Sequence, residues 1–404
     1  MRPPQPPAAL PKGFRFAATA CGLKKTGALD LALLVSDEPA SAAAVFTTNL
    51  VQAAPVVLCR DYLRRAKGRM RAVVVNSGNA NCSVGPIGMT VARSTAARAA
   101  AELRCKSEEV FVCSTGVIGV PLPVDRILGA MSRLRRAGRG STRSFLEFAH
   151  AILTTDTRPK WAAANCRIGG KSVRIAGCTK GAGMIHPNMA TMLAFLATDA
   201  AIAPGLLQRT LVAVTRWTFN AISVDGDSST NDTVIVLANG ASGARRIAKD
   251  SVGHRTFTAA LEKVCHSLAM QIVADGEGAQ RVIEIEVRGA GTEAGARRVA
   301  ETIATSPLVK TAIAGGDPNW GRILAAAGRS GVKFNPDVAD IEMAKIPVYR
   351  RGRALPFDER AAHRRLLAET VPILVDLKQG QASARVWTCD LTAEYVRINA
   401  SYRT

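Results

Sequence analysis

The sequence predicts an α/β protein of layered sheets covered by helices. Three observations lead there. Short Val/Ile-rich runs bounded by Gly, Asn, Asp or Pro recur along the chain, as strands do. Longer segments with apolar residues at helical spacing lie between them. The 404 residues are 48% hydrophobic and 21% charged, enough apolar content for a sizeable core.

Taken in order, the chain starts with a Pro-rich stretch, "MRPPQPPAALPKGF", read as a loose arm. Strands are expected at 31–36, 72–77, 110–115, 173–177, 192–199, 233–239, 282–289, 308–315, 346–350 and 384–391. Helices are expected at 83–103, 206–222, 257–276 and 291–306. In "GGDPNWGRILAAAG", Asp317 fits an N-cap and Pro318 the first helical position, near the pocket. No linker, repeat or low-complexity stretch divides the chain.

Composition narrows the function. A formal charge of +21 admits nucleic acid, an anionic surface or carboxylate-bearing small substrates as partners. Aromatics are only 5%, which argues against a base-stacking surface, and no nucleic-acid reading module accompanies the basic runs at 133–143 and 349–353. The nine cysteines are scattered without CxxC pairs, and with five dispersed histidines they offer no zinc-ligand spacing. They read as reduced thiols of a cytoplasmic protein. No signal-peptide pattern or 18-residue apolar run appears, so no membrane span is expected.

Four loops that end strands are rich in Gly and small polar residues: "NSGNANCSVG" (76–85), "CSTGVIGVPLP" (113–123), "TTDTRPK" (154–160) and "CTKGAGMIHPNMAT" (178–191). Glycine lets backbone N–H groups approach a ligand and the hydroxyls add donors, so together they suggest a polar pocket. Thr191 sits where the last loop enters an apolar strand. A threonine hydroxyl needs a base to act as a nucleophile, and no triad is evident. Cleavage before Thr191 supplies one: the freed α-amine, with an ordinary pKa of about 7.7–8.0, suits a base at neutral pH. Small Ala190 crowds such an attack little. On residue type alone, Lys180 reads as a solvated loop charge, Glu277 as a helix-end acid and Thr115 as a turn hydroxyl.

"TKGAGMIHPNMATMLAF" closely resembles the self-cleavage and nucleophile segment of the ornithine acetyltransferase (glutamate N-acetyltransferase) family. The resemblance runs through "PKGFRFAATACGLKK", "VSDEPASAAAVFTTN", "NSGNANC", "STGVIG", "TTDTRPK", "SVDGDSSTNDTV", "GDPNWGRI" and "DLTAEYVRINASYRT", in order. It implies self-cleavage between Ala190 and Thr191 into an α chain, 1–190, and a β chain, 191–404, interwoven in one catalytic unit. Two α and two β chains would then assemble. It implies acetyl transfer from N-acetylornithine to glutamate through acetyl-Thr191, within arginine biosynthesis, with acetyl-CoA as a further donor in some members and no bound cofactor or metal. Thr115 and Gly116 become the oxyanion donors. Thr154 or Thr155, Lys180, Glu277, Asn399 and Thr404 become substrate ligands alongside Thr191. Competing readings are a self-processing amidohydrolase or aminopeptidase of similar chemistry, and a basic nucleic-acid-binding protein.

Overall fold

A computed structural model describes residues 5–186 and 192–401. Ala190, Thr191 and Thr404 therefore lie outside the described residues.

The first sheet has eight strands: β1 (Phe14–Thr19), β2 (Leu31–Phe46), β3 (Arg69–Asn79), β4 (Val110–Val117), β5 (Lys160–Ile168), β6 (Lys171–Lys180), β7 (Leu193–Thr198) and β8 (Thr233–Ala238). Their order is β4-β3-β2-β8-β7-β6-β5, with β1 paired to β2. The long β2 joins two halves. Before an irregularity between Val35 and Ala40 it pairs with β1 and β3; after it, it keeps β3 through Ala40 and Ser41 and adds β8. Such an interruption lets a strand bend. Both halves turn one face to a shared core, which takes Leu34, Val73 and Phe111 from one half and Phe195 and Leu237 from the other.

Helices complete the layers. The outer face of the first half is covered by α1 (Ala54–Arg65), α2 (Pro86–Leu103) and α3 (Val124–Ala137), through Leu58, Ala96 and Ile127. Next in the chain, α4 (Thr142–Ala151) sends Phe145 and Phe148 into the shared core. Their rings meet Phe16 edge-on at centroid distances of 5.1 and 5.8 Å. The outer face of the second half is covered by α5 (Pro204–Trp217) and α6 (Val252–Ala274), through Leu207, Leu211, Phe257 and Leu268. Burying each such side chain contributes about 1.5–3 kcal/mol.

The second sheet comprises β9 (Val282–Ala290), β10 (Asp340–Met343), β11 (Ile346–Arg350), β12 (Arg353–Ala354), β13 (Thr370–Asp376) and β14 (Ala382–Cys389), in the order β12-β11-β10-β13-β9-β14. It packs on α7 (Glu293–Ala304), α8 (Pro307–Ala314), α9 (Trp320–Gly328) and α10 (Glu359–Leu366) through Val299, Ile313, Ile323 and Leu366. The last helix, α11 (Ala393–Ser401), returns to the first sheet's pocket. Among the described residues no helix is long and apolar enough to cross a membrane.

Three expectations are corrected. The run 308–315 is helix α8 and not a strand. Ser306 caps it, Pro307 opens it, and Val309 and Ile313, four residues apart, are buried on one face. The N-cap of α9 is Asn319, whose side chain accepts the Arg322 N–H at 3.2 Å, while Asp317 instead accepts from the Asn319 amide at 3.0 Å. From residue 5 onward the arm is not loose. Trp161 Nε1 donates to Gln5 O (3.3 Å), Thr142 Oγ1 to Pro7 O (3.1 Å) and Arg174 Nη1 to Leu10 O (3.3 Å), and Leu10 is buried.

Candidate active site

The strands β3 and β4 run parallel, and their ends carry two of the Gly-rich loops. Ser114 Oγ donates to Asn76 Oδ1 (2.6 Å) and Asn76 Nδ2 to Asn79 O (2.9 Å), which ties the two ends together. At Gly116, φ is +132°, a conformation that side-chain-bearing residues rarely adopt. A Cβ there would lie 2.4 Å from the Gly78 carbonyl carbon and 2.5 Å from the Asn79 nitrogen. Glycine is thus required for the Thr115–Gly116 backbone to sit against the neighbouring strand.

Lys180 ends β6 and is only 3% exposed. Its ammonium donates to Thr115 Oγ1 at 3.2 Å. Burial lowers the lysine pKa from its ordinary value, while the carboxylates of Asp156, Asp232 and Glu277 oppose that shift. It is therefore no solvated loop charge. Thr154 and Thr155 come from the loop after α4, and both line the same cavity. Glu277 follows the end of α6; its N–H donates to Ala182 O (2.8 Å) and its carboxylate accepts from Asn399 Nδ2 (2.8 Å) on α11. The cavity encloses about 250 Å³ and brings Thr115, Gly116, Thr154, Thr155, Lys180, Glu277 and Asn399 together.

Other residues of the cavity escaped sequence reading. Asp225 accepts the N–H groups of Met184 (2.5 Å) and Ile185 (2.9 Å), and Tyr395 Oη approaches it at 3.3 Å. Burial raises the Asp225 pKa against those N–H bonds. Asn231 Nδ2 donates to Ala80 O (2.7 Å) and Ser114 O (2.9 Å). The signal was "SVDGDSSTNDTV", which reads as a hydroxyl-rich turn until its partners are known. Conversely, "GDPNWGRI" does not reach this cavity. Gly315 to Gly321 line a separate cleft with Phe357, Glu359 and His363.

Gly183 makes room for Glu277. A Cβ on it would fall 2.6–2.7 Å from the Glu277 carboxylate. Gly183→Ala should displace that carboxylate from Asn399 and raise the KM for an amine-bearing substrate of this cavity roughly 10–100-fold, the value of a charge-assisted hydrogen bond. Steady-state kinetics check this, and an unchanged KM refutes it.

Both flanks of segment 187–191 are anchored. On the upstream side, Val224 N–H donates to Ile185 O at 2.7 Å, and His186 Nδ1 lies 3.4 Å from Ser223 Oγ. On the downstream side, Met192 N–H donates to Asp232 Oδ1 at 2.9 Å and Thr233 N–H to Met192 O at 3.1 Å. Asp232 is fully buried, and among the described residues its Oδ2 has no hydrogen-bond partner. Burial pushes its pKa well above the ordinary 3.8, so the native carboxyl keeps a proton that the unfolded chain releases. This contribution to stability is fully present below pH 3.8 and is lost as pH rises through the raised value. In a Thr191→Ala background, Asp232→Asn should therefore gain stability over Asp232 as pH rises from 4 to 7. The gain is at most about 1.4 kcal/mol per pH unit. Urea unfolding at several pH values measures it; a constant difference contradicts the assignment.

Residues 15–404 match the ArgJ family. The chain is 50% identical over 394 residues to the arginine biosynthesis bifunctional protein ArgJ of Geobacter sulfurreducens, covering 97% of this chain and 99% of that protein. Identity is 48% over 396 residues to the protein of the same description in Symbiobacterium thermophilum, covering 98% of each. The crystal structure of the arginine biosynthesis bifunctional protein argJ of Bacillus halodurans matches with a TM-score of 0.50 and 45% identity, over 52% of this chain and 98% of that one. Layered α/β sheets around a small, hydroxyl-rich cavity, read with these matches, define an acetyltransferase acting on small molecules in arginine biosynthesis. The chain belongs to the ArgJ family.

Proposed function

We propose that the chain cuts itself between Ala190 and Thr191, and that the new N-terminal threonine carries acetyl from N-acetylornithine to glutamate. In self-cleavage, Thr191 Oγ attacks the Ala190 carbonyl carbon, the peptide becomes an ester, and water hydrolyses it. In transfer, Thr191 Oγ gives its proton to the Thr191 α-amine and attacks the acetyl carbonyl. The Thr115 hydroxyl and Gly116 N–H stabilise the oxyanion. The C–N bond breaks and the proton passes to the leaving ornithine amine. The α-amine of glutamate then attacks the acetyl ester, loses a proton and releases the Thr191 hydroxyl.

The observation that carries this reading is the convergence of Thr115, Gly116, Thr154, Thr155, Lys180, Glu277 and Asn399 on one cavity. Lys180 and hydroxyl donors suit the carboxylate of an amino acid, and Glu277 its ammonium. Thr404 is a further ligand by resemblance alone. Two features support the cut. The described flanks of 187–191 are held by separate strands and loops, and the Bacillus halodurans structure is a chain of about half this length. Acetyl-CoA enters the same acyl-enzyme scheme as a second donor, with no resident cofactor or metal, and two α and two β chains form the assembly in the cytoplasm.

The test is acetyl release from N-acetylornithine with and without glutamate. Faster turnover with glutamate, parallel double-reciprocal lines and N-acetylglutamate as product are expected. Hydrolysis independent of glutamate would assign the chain to the amidohydrolases instead.

A further inference from the structure

Lys160 has no part in the scheme above, yet it is wholly buried at the start of β5. Its ammonium lies 2.5 Å from Asp156 Oδ1 and 2.6 Å from Asp275 Oδ2. The side chains of both partners are also nearly inaccessible, at 0% and 2% exposure. Each carboxylate holds a different wall of the cavity. Asp156 accepts the Thr154 N–H (3.2 Å) and the Gly181 N–H (2.6 Å), so it joins the threonine loop to the turn after Lys180. Asp275 accepts the Thr157 N–H (3.1 Å) and the Thr157 hydroxyl, so it joins the same loop to the end of α6, two residues before Glu277.

We propose that Lys160 is a positioning residue for substrate binding, which locks Thr154–Thr155, Lys180–Gly183 and Glu277 into one frame by clamping Asp156 and Asp275. This rests on the proposed reading of the cavity as the amino-acid site. A cation is needed at this point because two carboxylates cannot sit ionised and buried side by side without one. The charge on Lys160 and Lys180 holds the Asp156 pKa far below its ordinary range despite its burial. Asp156 is thus ionised throughout the neutral range. Lys160 touches none of the reacting atoms. Its loss should loosen the walls that grip the substrate and leave the oxyanion donors on β4 in place.

The experiment compares wild type, Lys160→Met and the charge-balanced double variant Lys160→Met/Asp275→Asn. Each is assayed for acetyl transfer, for ornithine binding by titration calorimetry and for thermal unfolding. Lys160→Met alone leaves Asp156 and Asp275 buried without the cation that bridges them, with Arg158 at 3.8 Å from Asp275 and the charge of Lys180 beside Asp156, and should unfold at a markedly lower temperature. The double variant should recover the wild-type melting temperature. Its KM values for N-acetylornithine and glutamate and its Kd for ornithine should stay raised by at least about tenfold, with kcat within about threefold. A double variant with wild-type melting and wild-type KM overturns the proposal, because the lysine then served only to balance charge. A double variant that still does not fold overturns it as well. Absence of transfer in the wild type would refute the proposed function instead, and ornithine binding would still report on the clamp.

Discussion

Thr191→Ala should leave a single uncut chain of 404 residues with no measurable acetyl transfer. In the proposed scheme the substitution removes the attacking oxygen of both reactions. Without the first reaction, the α-amine that would act as base stays locked in a peptide bond. Removing a catalytic nucleophile costs on the order of 10⁶ in kcat, and here self-cleavage is lost with it. Intact mass under denaturing conditions provides the check. The wild type should give two fragments, the second beginning at Thr191, and the variant one. Thr191→Ser separates the two requirements, since it keeps a hydroxyl and should still be cut. A wild type that folds but stays uncut would return Thr191 to the role of a strand-forming residue.

Gly116→Ala should lower kcat by about 10²–10³-fold, the usual loss for one oxyanion donor. The cause is backbone geometry. The φ of +132° disfavours any Cβ, and the new methyl would fall within 2.4 Å of the Gly78 backbone. Either β3 or β4 must move, which takes the Gly116 N–H and the Thr115 hydroxyl out of line together. Thermal stability should fall too, because the Ser114–Asn76 and Asn231–Ser114 bonds brace the same strand end. Thr115→Val is the companion: it removes the hydroxyl that receives the Lys180 hydrogen bond without disturbing the strand pairing. A Gly116→Ala enzyme within threefold of wild-type kcat, at any melting temperature, would remove Gly116 from the oxyanion site.

Much of this was legible in the chain. Alternating turn signals and Val/Ile runs marked most strands of the first sheet and half of those in the second, because a buried strand must be apolar and must end in residues that can turn. Thr115, Gly116, Lys180, Glu277 and Asn399 were named by the resemblance of ordered motifs to a known family and not by residue type, and they do converge on one cavity. The 308–315 segment misled because "LVKTAIAG" has strand-like composition; the deciding signal was the Ser306–Pro307 pair just before it, which starts a helix.

What the sequence determined by itself was local: where strands and helices tend to form, and which short motifs carry hydroxyls, glycines and a candidate nucleophile. These follow from propensity, turn chemistry and spacing. The tertiary structure alone decided which charges are partners. Asp275 meets Thr157 across 118 positions, and Tyr395 meets Asp225 across 170. Lys160 and Asp156 are four residues apart, yet only the arrival of Asp275 makes them a buried clamp. A charged lysine in a protein interior needs acceptors that folding brings to it, and a one-dimensional pattern does not record that arrival.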